Sequence, residues 1–443
     1  MAKKSNTKSV FKAGMYLLET LTAGMYNDPL AIYREYIQNA ADSIDLALNQ
    51  NRRNSRRIHI DLDPVEKSIT IYDKGLGISA DLAEKILSSV GMSSKTNSKL
   101  RGFRGIGRLG GLAFCDFATF RTKAKGENVE SIQEWDCLKL RHGMSDSGKI
   151  TYSLKQLFNK ATNFYQKNSK KESGSYFEVK LFGIQSFRNH IMDIRKVYDY
   201  LSSTAPVPFN PGELSLTSEI NGYLSSNLKS FSHYDIILNG EPVFKPYRDL
   251  VKLTSKGHDV IIGFEPFEIK IGEVTVAYGW LGKRRDLLGA ITRGDLSSGI
   301  RVRDGNIQIG DSHLLDGCFR ESRFNSYMIG EIHVDYAELI PNSRRDDFID
   351  NETKGLFYDA VEREIGLRIS KGIRLNSRFK SKKEWATQKE SVAVNLSVTK
   401  HSNSDKPSNE ATELAGLLKM LPNECKKCHV IKKLNNTTGT YKL

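Results

Sequence analysis

Glu35-Tyr36-Ile37-Gln38-Asn39-Ala40-Ala41-Asp42, followed by Asp73-Lys74-Gly75-Leu76-Gly77 and then Gly102-Phe103-Arg104-Gly105-Ile106-Gly107, decides how the rest of the 443 residues is read. On a helix, residues 35, 39 and 42 fall at i, i+4 and i+7, so two carboxylates and an amide share one face. A carboxylate can take a proton from water, and an amide oxygen suits a hard cation such as magnesium. The glycine stretches supply backbone that a phosphate can approach closely. Together the three motifs point to hydrolysis of a nucleotide.

The flanking sequence predicts where these motifs sit. Asn27-Asp28-Pro29 predicts a helix start, a capping side chain followed by proline. Ile32, Tyr36, Ala40 and Ile44 continue an apolar stripe to about Leu48. Ile58, Ile60 and Leu62, then Ile69 and Ile71, alternate across a short Asp63–Ser68 connection and predict a β-hairpin with one buried face. Asp73 ends the second strand and points into a pocket at the strand edge. Leu82, Ile86 and Leu87 read as a helical piece, and the Ser/Lys/Gly-rich run from Ser88 to Lys99 as a mobile loop. Leu112–Phe120 is apolar enough to be buried. A polar loop over 166–173 precedes an alternating strand, Tyr176–Leu181, that closes a first domain. The fold class is α+β, with helices stacked on one face of a largely antiparallel sheet.

Pro206, Pro208 and Pro211 mark a boundary loop, followed by strand signals at Asp235–Leu238, Asp259–Phe264, Glu268–Ile271 and Val274–Tyr278. Helical periodicity returns from Tyr358 (Ala360, Val361, Ile365, Ile369), and the polar stretch 386–412 reads as a flexible linker. The expected division is 1–185, 186–350 and 351–443, the last basic, mostly helical and partly flexible. That length is too great for one core.

A hydrophobic content of 39% and a charged content of 27% describe a globular protein rather than a disordered one. No apolar run approaches a membrane span, so no membrane partner is expected. The basic start, Met1-Ala2-Lys3-Lys4-Ser5, lacks an apolar h-region, and five scattered cysteines suit a reducing compartment, so a cytoplasmic location is expected. The net charge of +14 favours a polyanionic partner, either nucleic acid or nucleotide phosphate. Half of that excess lies in residues 350–443, which hold 18 Lys/Arg against 11 Asp/Glu.

Glu-x-x-x-Asn on a helix, Asp-x-Gly-x-Gly after a strand, then Gly-x-x-Gly-x-Gly, in that order, resembles the GHKL (Bergerat-fold) ATPase superfamily, which includes DNA gyrase B, heat-shock protein 90 chaperones, MutL, MORC proteins and histidine kinases. The likeness is strong over residues 14–185 and nearest the heat-shock protein 90/HtpG-like and MORC-like branch. Gly299–Arg303 and Ile340–Asp346 resemble the α/β transducer (middle) domain more weakly. The resemblance implies an N-terminal α/β sandwich that binds ATP and Mg2+, with Glu35 as general base and Asn39 on the magnesium. Asp73 would bind the adenine amino group, Gly77 would shape the wall, and residues 79–101 would form a lid. Gly102, Gly105 and Gly107 would cradle the phosphates, and Ser175 stands where relatives carry a threonine near the adenine. Asp42, Gly75, Lys95, Phe103, Arg104 and Ile106 fall in the same implied nucleotide site. A transducer cation, Arg344 or Arg345, would reach the terminal phosphate, and the serine before it favours Arg344. Lys74 departs from the usual asparagine, and Arg104 and Arg108 from phenylalanines; both arginines read equally as phosphate ligands or as solvated.

The implied activity is that of an ATP-driven conformational clamp that closes a lid and dimerises through its N-terminal domains on a protein or nucleic-acid client. A MutL-like DNA-handling ATPase, in repair or in defence against foreign DNA, is the alternative. A histidine kinase fits less well, because Glu35 is a poised water-activating base and no phosphoacceptor helix precedes the motifs. Gly105–Gly110 also matches a dinucleotide fingerprint, but a polar loop precedes it rather than a buried strand. Cys425-Lys426-Lys427-Cys428-His429 supplies at most half of a zinc site, and two reduced thiols are the simpler reading. Arg374, Arg378, Lys380, Lys382 and Lys383, interleaved with Phe379 and Trp385, read as a solvated face.

Overall fold

The structure, a computed structural model, describes residues 28–50, 55–89, 107–145, 153–169, 174–185, 190–229, 231–255, 257–287 and 289–377. The chain forms two compact units, Met1–Ser370 and Lys371–Leu443. Of the second, residues 371–377 are described and are helical. The Cys425–His429 cluster, most of the basic segment after 374 and the 386–412 stretch lie outside the described residues.

The first unit is α+β, as its sequence pattern predicts, and it is built on two sheets. The motif-bearing helix α1 runs Ala31–Asn49. It starts two residues later than proline placement suggests. Asp28 accepts a hydrogen bond from Leu30 N at 2.9 Å and so caps the turn before the helix. Ile32, Tyr36, Ala40 and Ile44 are all buried, so the predicted stripe is the face that meets the sheet. Strands β1 (Arg57–Asp63) and β2 (Ser68–Asp73) pair antiparallel with Ile58 opposite Asp73, Ile60 opposite Ile71 and Leu62 opposite Ile69. Their turn is organised by Asp63, whose Oδ1 accepts from Val65 N and Glu66 N at 2.9 Å each.

Helix α2 (Ala80–Ser88) and a 3₁₀ segment (Gly107–Ala113) lead to β3 (Phe117–Lys123), β4 (Val129–Asp136), α3 (Cys137–Ser145), α4 (Leu154–Ala161), β5 (Thr162–Asn168) and β6 (Tyr176–Phe182). β5 begins before, and runs into, the stretch that polarity alone marks as loop. It is an edge strand paired with β4, and an edge accepts polar side chains on both faces. α5 (Ile194–Thr204), α6 (Thr217–Asn227), β7 (Asp235–Leu238) and β8 (Glu241–Pro242) follow. The first sheet has the order β5-β4-β3-β6-β2-β1-β7-β8. It is antiparallel throughout except that β7 pairs parallel with β1. β7 therefore comes from beyond the proline-rich boundary loop and completes the sheet that carries the motifs. Asn239 fastens it, donating to the Leu62 carbonyl at 2.9 Å and accepting from Leu62 N at 2.8 Å.

One core fills the space between this sheet and the helices, with Ile58, Ile60, Ile69, Ile71, Ala118, Phe120, Val179 and Leu181 facing α1. The buried thiols Cys115 and Cys137 lie in it, 3.7 Å apart, within hydrogen-bond reach and not joined by a disulfide.

The second sheet contains β9 (Leu250–Lys252), β10 (His258–Ile271), β11 (Val274–Arg284), β12 (Gly299–Asp304), β13 (Ile307–Ile309) and β14 (Ile329–Val334), in the order β13-β12-β14-β11-β10-β9. β10 is one long strand where the sequence suggests two short ones. Pro266, between them, faces Trp280 of β11, and β9 covers β10 only at residues 258–260, so the missing N–H points to an open edge. α7 (Glu352–Val361) follows, continued by a π-helical stretch, Glu362–Gly366, and by further helix to the end of the unit at Ser370.

Candidate active site

Three neighbouring strands deliver side chains to one end of the first sheet. Asp73 continues the inward series of Ile69 and Ile71, Thr122 that of Ala118 and Phe120, and Ser175 that of Phe177 and Val179. The register sets Asp73 and Thr122 both against Phe177. The chain after β2 is then pinned at four places. Gly75 N donates to Asp73 Oδ1 at 2.7 Å, and the Gly75 carbonyl accepts from Ser175 Oγ at 2.6 Å. Leu76 N donates to Ser43 Oγ of α1 at 2.9 Å, and Ile78 N to Thr122 Oγ1 at 2.9 Å.

The glycines here are required by space. A Cβ on Gly75 would lie 2.2 Å from Ser43 Oγ, and one on Gly77, at φ +68°, would lie 2.0 Å from the Lys123 carbonyl oxygen. Asp73 is 4% exposed. Burial raises its carboxyl to about 7, with the Gly75 hydrogen bond pulling the other way. A carboxylate kept in this condition is poised for a hydrogen-bond donor brought by a ligand.

The second cluster lies at the other end of the motif helix. Glu35 is 13% exposed, and a Cβ on Gly107 would come within 2.2 Å of its Oε2. The last glycine of the third motif is thus packed directly against the candidate base. Tyr36 donates its hydroxyl to the Arg108 carbonyl at 3.0 Å, fixing the start of the 3₁₀ segment on α1. Arg108 donates in turn to the Ser89 carbonyl at the end of α2. Its guanidinium, lowered to about 10 by burial, is a tie between two segments rather than a solvated side chain. Asn39 is half-buried one turn beyond Glu35, Asp42 is buried, and Lys74 is exposed.

Of the adjacent arginines, the structure turns Arg345 inward. Arg344 is exposed, and its carbonyl accepts from Arg34 Nη2 at 2.8 Å. Arg345 is 5% exposed, sits at φ +53° and has Asp304 at 3.6 Å. Burial lowers its guanidinium, opposed first by Asp304 and then by Glu35, with Asp42 also in electrostatic reach. A left-handed conformation costs a non-glycine residue about 1–2 kcal/mol. Arg345 is thus the buried member of the pair, and Arg344, which the serine before it favours, the exposed one.

Among the expected site residues, Glu35, Asn39, Asp42, Asp73, Gly75, Gly77, Gly107, Ser175, Arg344 and Arg345 are described. Lys95, Gly102, Phe103, Arg104, Gly105 and Ile106 lie outside the described residues. Ser43, Thr122 and Arg34 belong to the same arrangement, although no motif marks them. Ser43 does fall four residues after Asn39, on the polar flank of α1. Arg34 precedes the base, its Nη2 3.5 Å from Glu35 Oε1.

Residues 33–168 match the family described as histidine kinase-, DNA gyrase B-, and HSP90-like ATPase. Chaperone protein HtpG of Shigella dysenteriae serotype 1 (strain Sd197) is 26% identical over 140 residues, covering 27% of this chain and 22% of the relative. The HtpG proteins of Escherichia coli (strain K12), 26% identical, and Enterobacter sp. (strain 638), 25% identical, align over the same shares. The match thus spans about a fifth of these relatives' length. Among the described residues, no helix is long and apolar enough to cross a membrane. Motif order, strand register and family match agree: residues 33–168 match the GHKL type of ATPase domain and are similar to part of HtpG.

Proposed function

We propose that this protein is an ATP-driven conformational clamp of the HtpG-like or MORC-like type, hydrolysing ATP in the first unit. The observation that carries the reading is that Gly107 packs against Glu35 of α1 while Arg34 of the same helix ties down the Arg344–Arg345 loop. The adenine amino group donates to Asp73, whose environment is built for an added donor. Glu35 takes the proton of the attacking water as that oxygen joins the terminal phosphorus. The bond to the bridging oxygen breaks, and ADP leaves with phosphate. Arg345 offsets the charge gathering on the transferred group. Asn39 supplies an amide oxygen to magnesium, which when bound neutralises the phosphate oxygens.

Closure follows from connectivity. A terminal phosphate touches the motif helix, the glycine segment and the loop of Arg345 together, so it favours the arrangement in which all three are docked. In this reading ATP also brings two copies together through their N-terminal domains, around a protein or nucleic-acid client. A reducing, cytoplasmic setting accords with Cys115 and Cys137 not being joined by a disulfide. The net charge of +14 supports a second reading, a MutL-like ATPase acting on DNA.

Steady-state turnover of Glu35→Ala tests the first step. Turnover falls by about 10²–10⁴-fold while ATP binding by calorimetry persists. Turnover equal to the parent rejects the mechanism. Stimulation by DNA that fades steeply with salt favours the second reading, and stimulation by unfolded protein the first.

A further inference from the structure

The loop that carries Arg345 is mounted on the β12–β13 hairpin. Asp304, the last residue of β12, places Oδ2 3.6 Å from Arg345 Nη1. Across the hairpin, Gly310 N donates to the Arg345 carbonyl at 2.8 Å. The hairpin itself is held from behind. Arg303, next to Asp304 and fully buried, binds Glu331 of β14 and donates through Nη2 to the Ser203 carbonyl of α5 at 2.8 Å. Asn306, in its turn, donates to the Ser232 carbonyl at 2.9 Å and accepts from Lys245 Nζ at 3.0 Å. Asp304 is thus a carboxylate on a rigid support, facing a guanidinium on a loop.

We propose that Asp304 is a positioning residue for Arg345. It holds the guanidinium in reach of the terminal phosphate. Glu35 and Asp42 also attract Arg345, and Arg34, beside Glu35, repels it. A guanidinium released by Asp304 is no longer held in place, and a misplaced cation stabilises the charge of the transferred group poorly. The pair is loose, at 3.6 Å with Asp304 one-third exposed, so a phosphate can draw the arginine away. This inference rests on the assignment of Arg345 to the terminal phosphate.

The test is the ATPase of the full chain bearing D304N, D304S, D304E, R345A or D304N together with R345A. D304N and D304S lower kcat by about 10- to 100-fold through misplacement of the cation. KM and calorimetric affinity for ATP stay within about threefold, because Asp304 acts after binding. D304E restores most of the rate, and the double variant is no slower than R345A alone, as expected of two residues acting as one unit. Parental kcat in both neutral variants beside a slow R345A overturns the role of Asp304 alone. Parental kcat in R345A overturns the assignment of Arg345 itself. Loss of ATP binding in step with kcat in the Asp304 variants, or no rescue by glutamate, also overturns the role of Asp304 alone, since either marks general damage to the hairpin.

Discussion

Asp73 and Glu331 are both carboxylates closed off from water, at 4% and 0% exposure, and they sit in opposite electrostatic surroundings. Asp73 accepts from Gly75 N, and burial raises its carboxyl to about 7. Burial acts in the same direction on Glu331, but Arg303 and Lys245 outweigh it and hold that carboxyl well below its usual range. Lys245 Nζ reaches both Glu331 oxygens, at 2.8 and 2.7 Å, and His333 Nε2 lies 3.0 Å away. Glu331 is a finished structure. Asp73 is half of one, and its other half arrives with the ligand.

The comparison can be broken by removing each carboxylate in turn, beginning with the larger effect. Glu331→Ala leaves Lys245 and Arg303 as buried cations with their acceptor gone. The expected loss is about 3–5 kcal/mol of unfolding free energy, read from the urea midpoint, with the second sheet failing first. A midpoint unchanged from the parent shows that the cluster is not the structural element described here.

Asp73→Asn has the reverse profile. The ATP-free protein keeps its stability, because the amide removes a charge that the site disfavours. ATP affinity falls by about 1.5–3 kcal/mol in a titration, since one amide oxygen must now serve both Gly75 N and the adenine amino group. The same variant sharpens the pH argument. The folded carboxyl, at about 7, lies above its ordinary 3.8, so between those values the folded state holds the extra proton. Stability of the ATP-free parent therefore declines as pH rises through that window, and the decline is absent in Asp73→Asn. ATP affinity runs the other way and improves as Asp73 ionises. A pH-independent stability difference between the two proteins rejects the raised value.

The smallest effect belongs to Ser175→Ala. It removes the 2.6 Å hydrogen bond to the Gly75 carbonyl and costs about 1 kcal/mol in ATP affinity, with stability nearly unchanged. A loss as large as that of Asp73→Asn makes Ser175 a principal ligand instead of a support.

The first sheet was the more legible region. Ile58, Ile60 and Leu62 against Ile69 and Ile71 gave its hairpin, because strand alternation with one wet face is a direct record of burial. The motif helix was legible for the same reason at a different period. The second sheet was less so. β12 is buried along Gly299–Arg303, so Arg301 and Arg303 occupy positions that alternation marks as outward facing. Nothing in Gly-Ile-Arg-Val-Arg indicates that Glu331, far along the chain, neutralises Arg303. In the candidate site, the spacing that singles out Glu35, Asp73 and Gly107 in the sequence is one dictated by a helix, a strand end and a tight approach. Ser43 and Thr122 bind backbone amides through ordinary hydroxyls, a task with no signature. The serine before it favours Arg344, whereas the structure buries Arg345 and exposes Arg344, a difference that two adjacent arginines do not record in sequence.

The parallel pairing of β7 with β1 bears on how this protein can be divided for experiments. A fragment that stops once β6 is complete would contain every motif yet leave the amides and carbonyls of Arg57–Ile60 bare along one border. Such a border is a template for any other extended peptide, and neighbouring fragments would stitch together through it. A truncated version fit for crystallisation or titration should reach at least Pro242, so that the sheet carries its own selvedge.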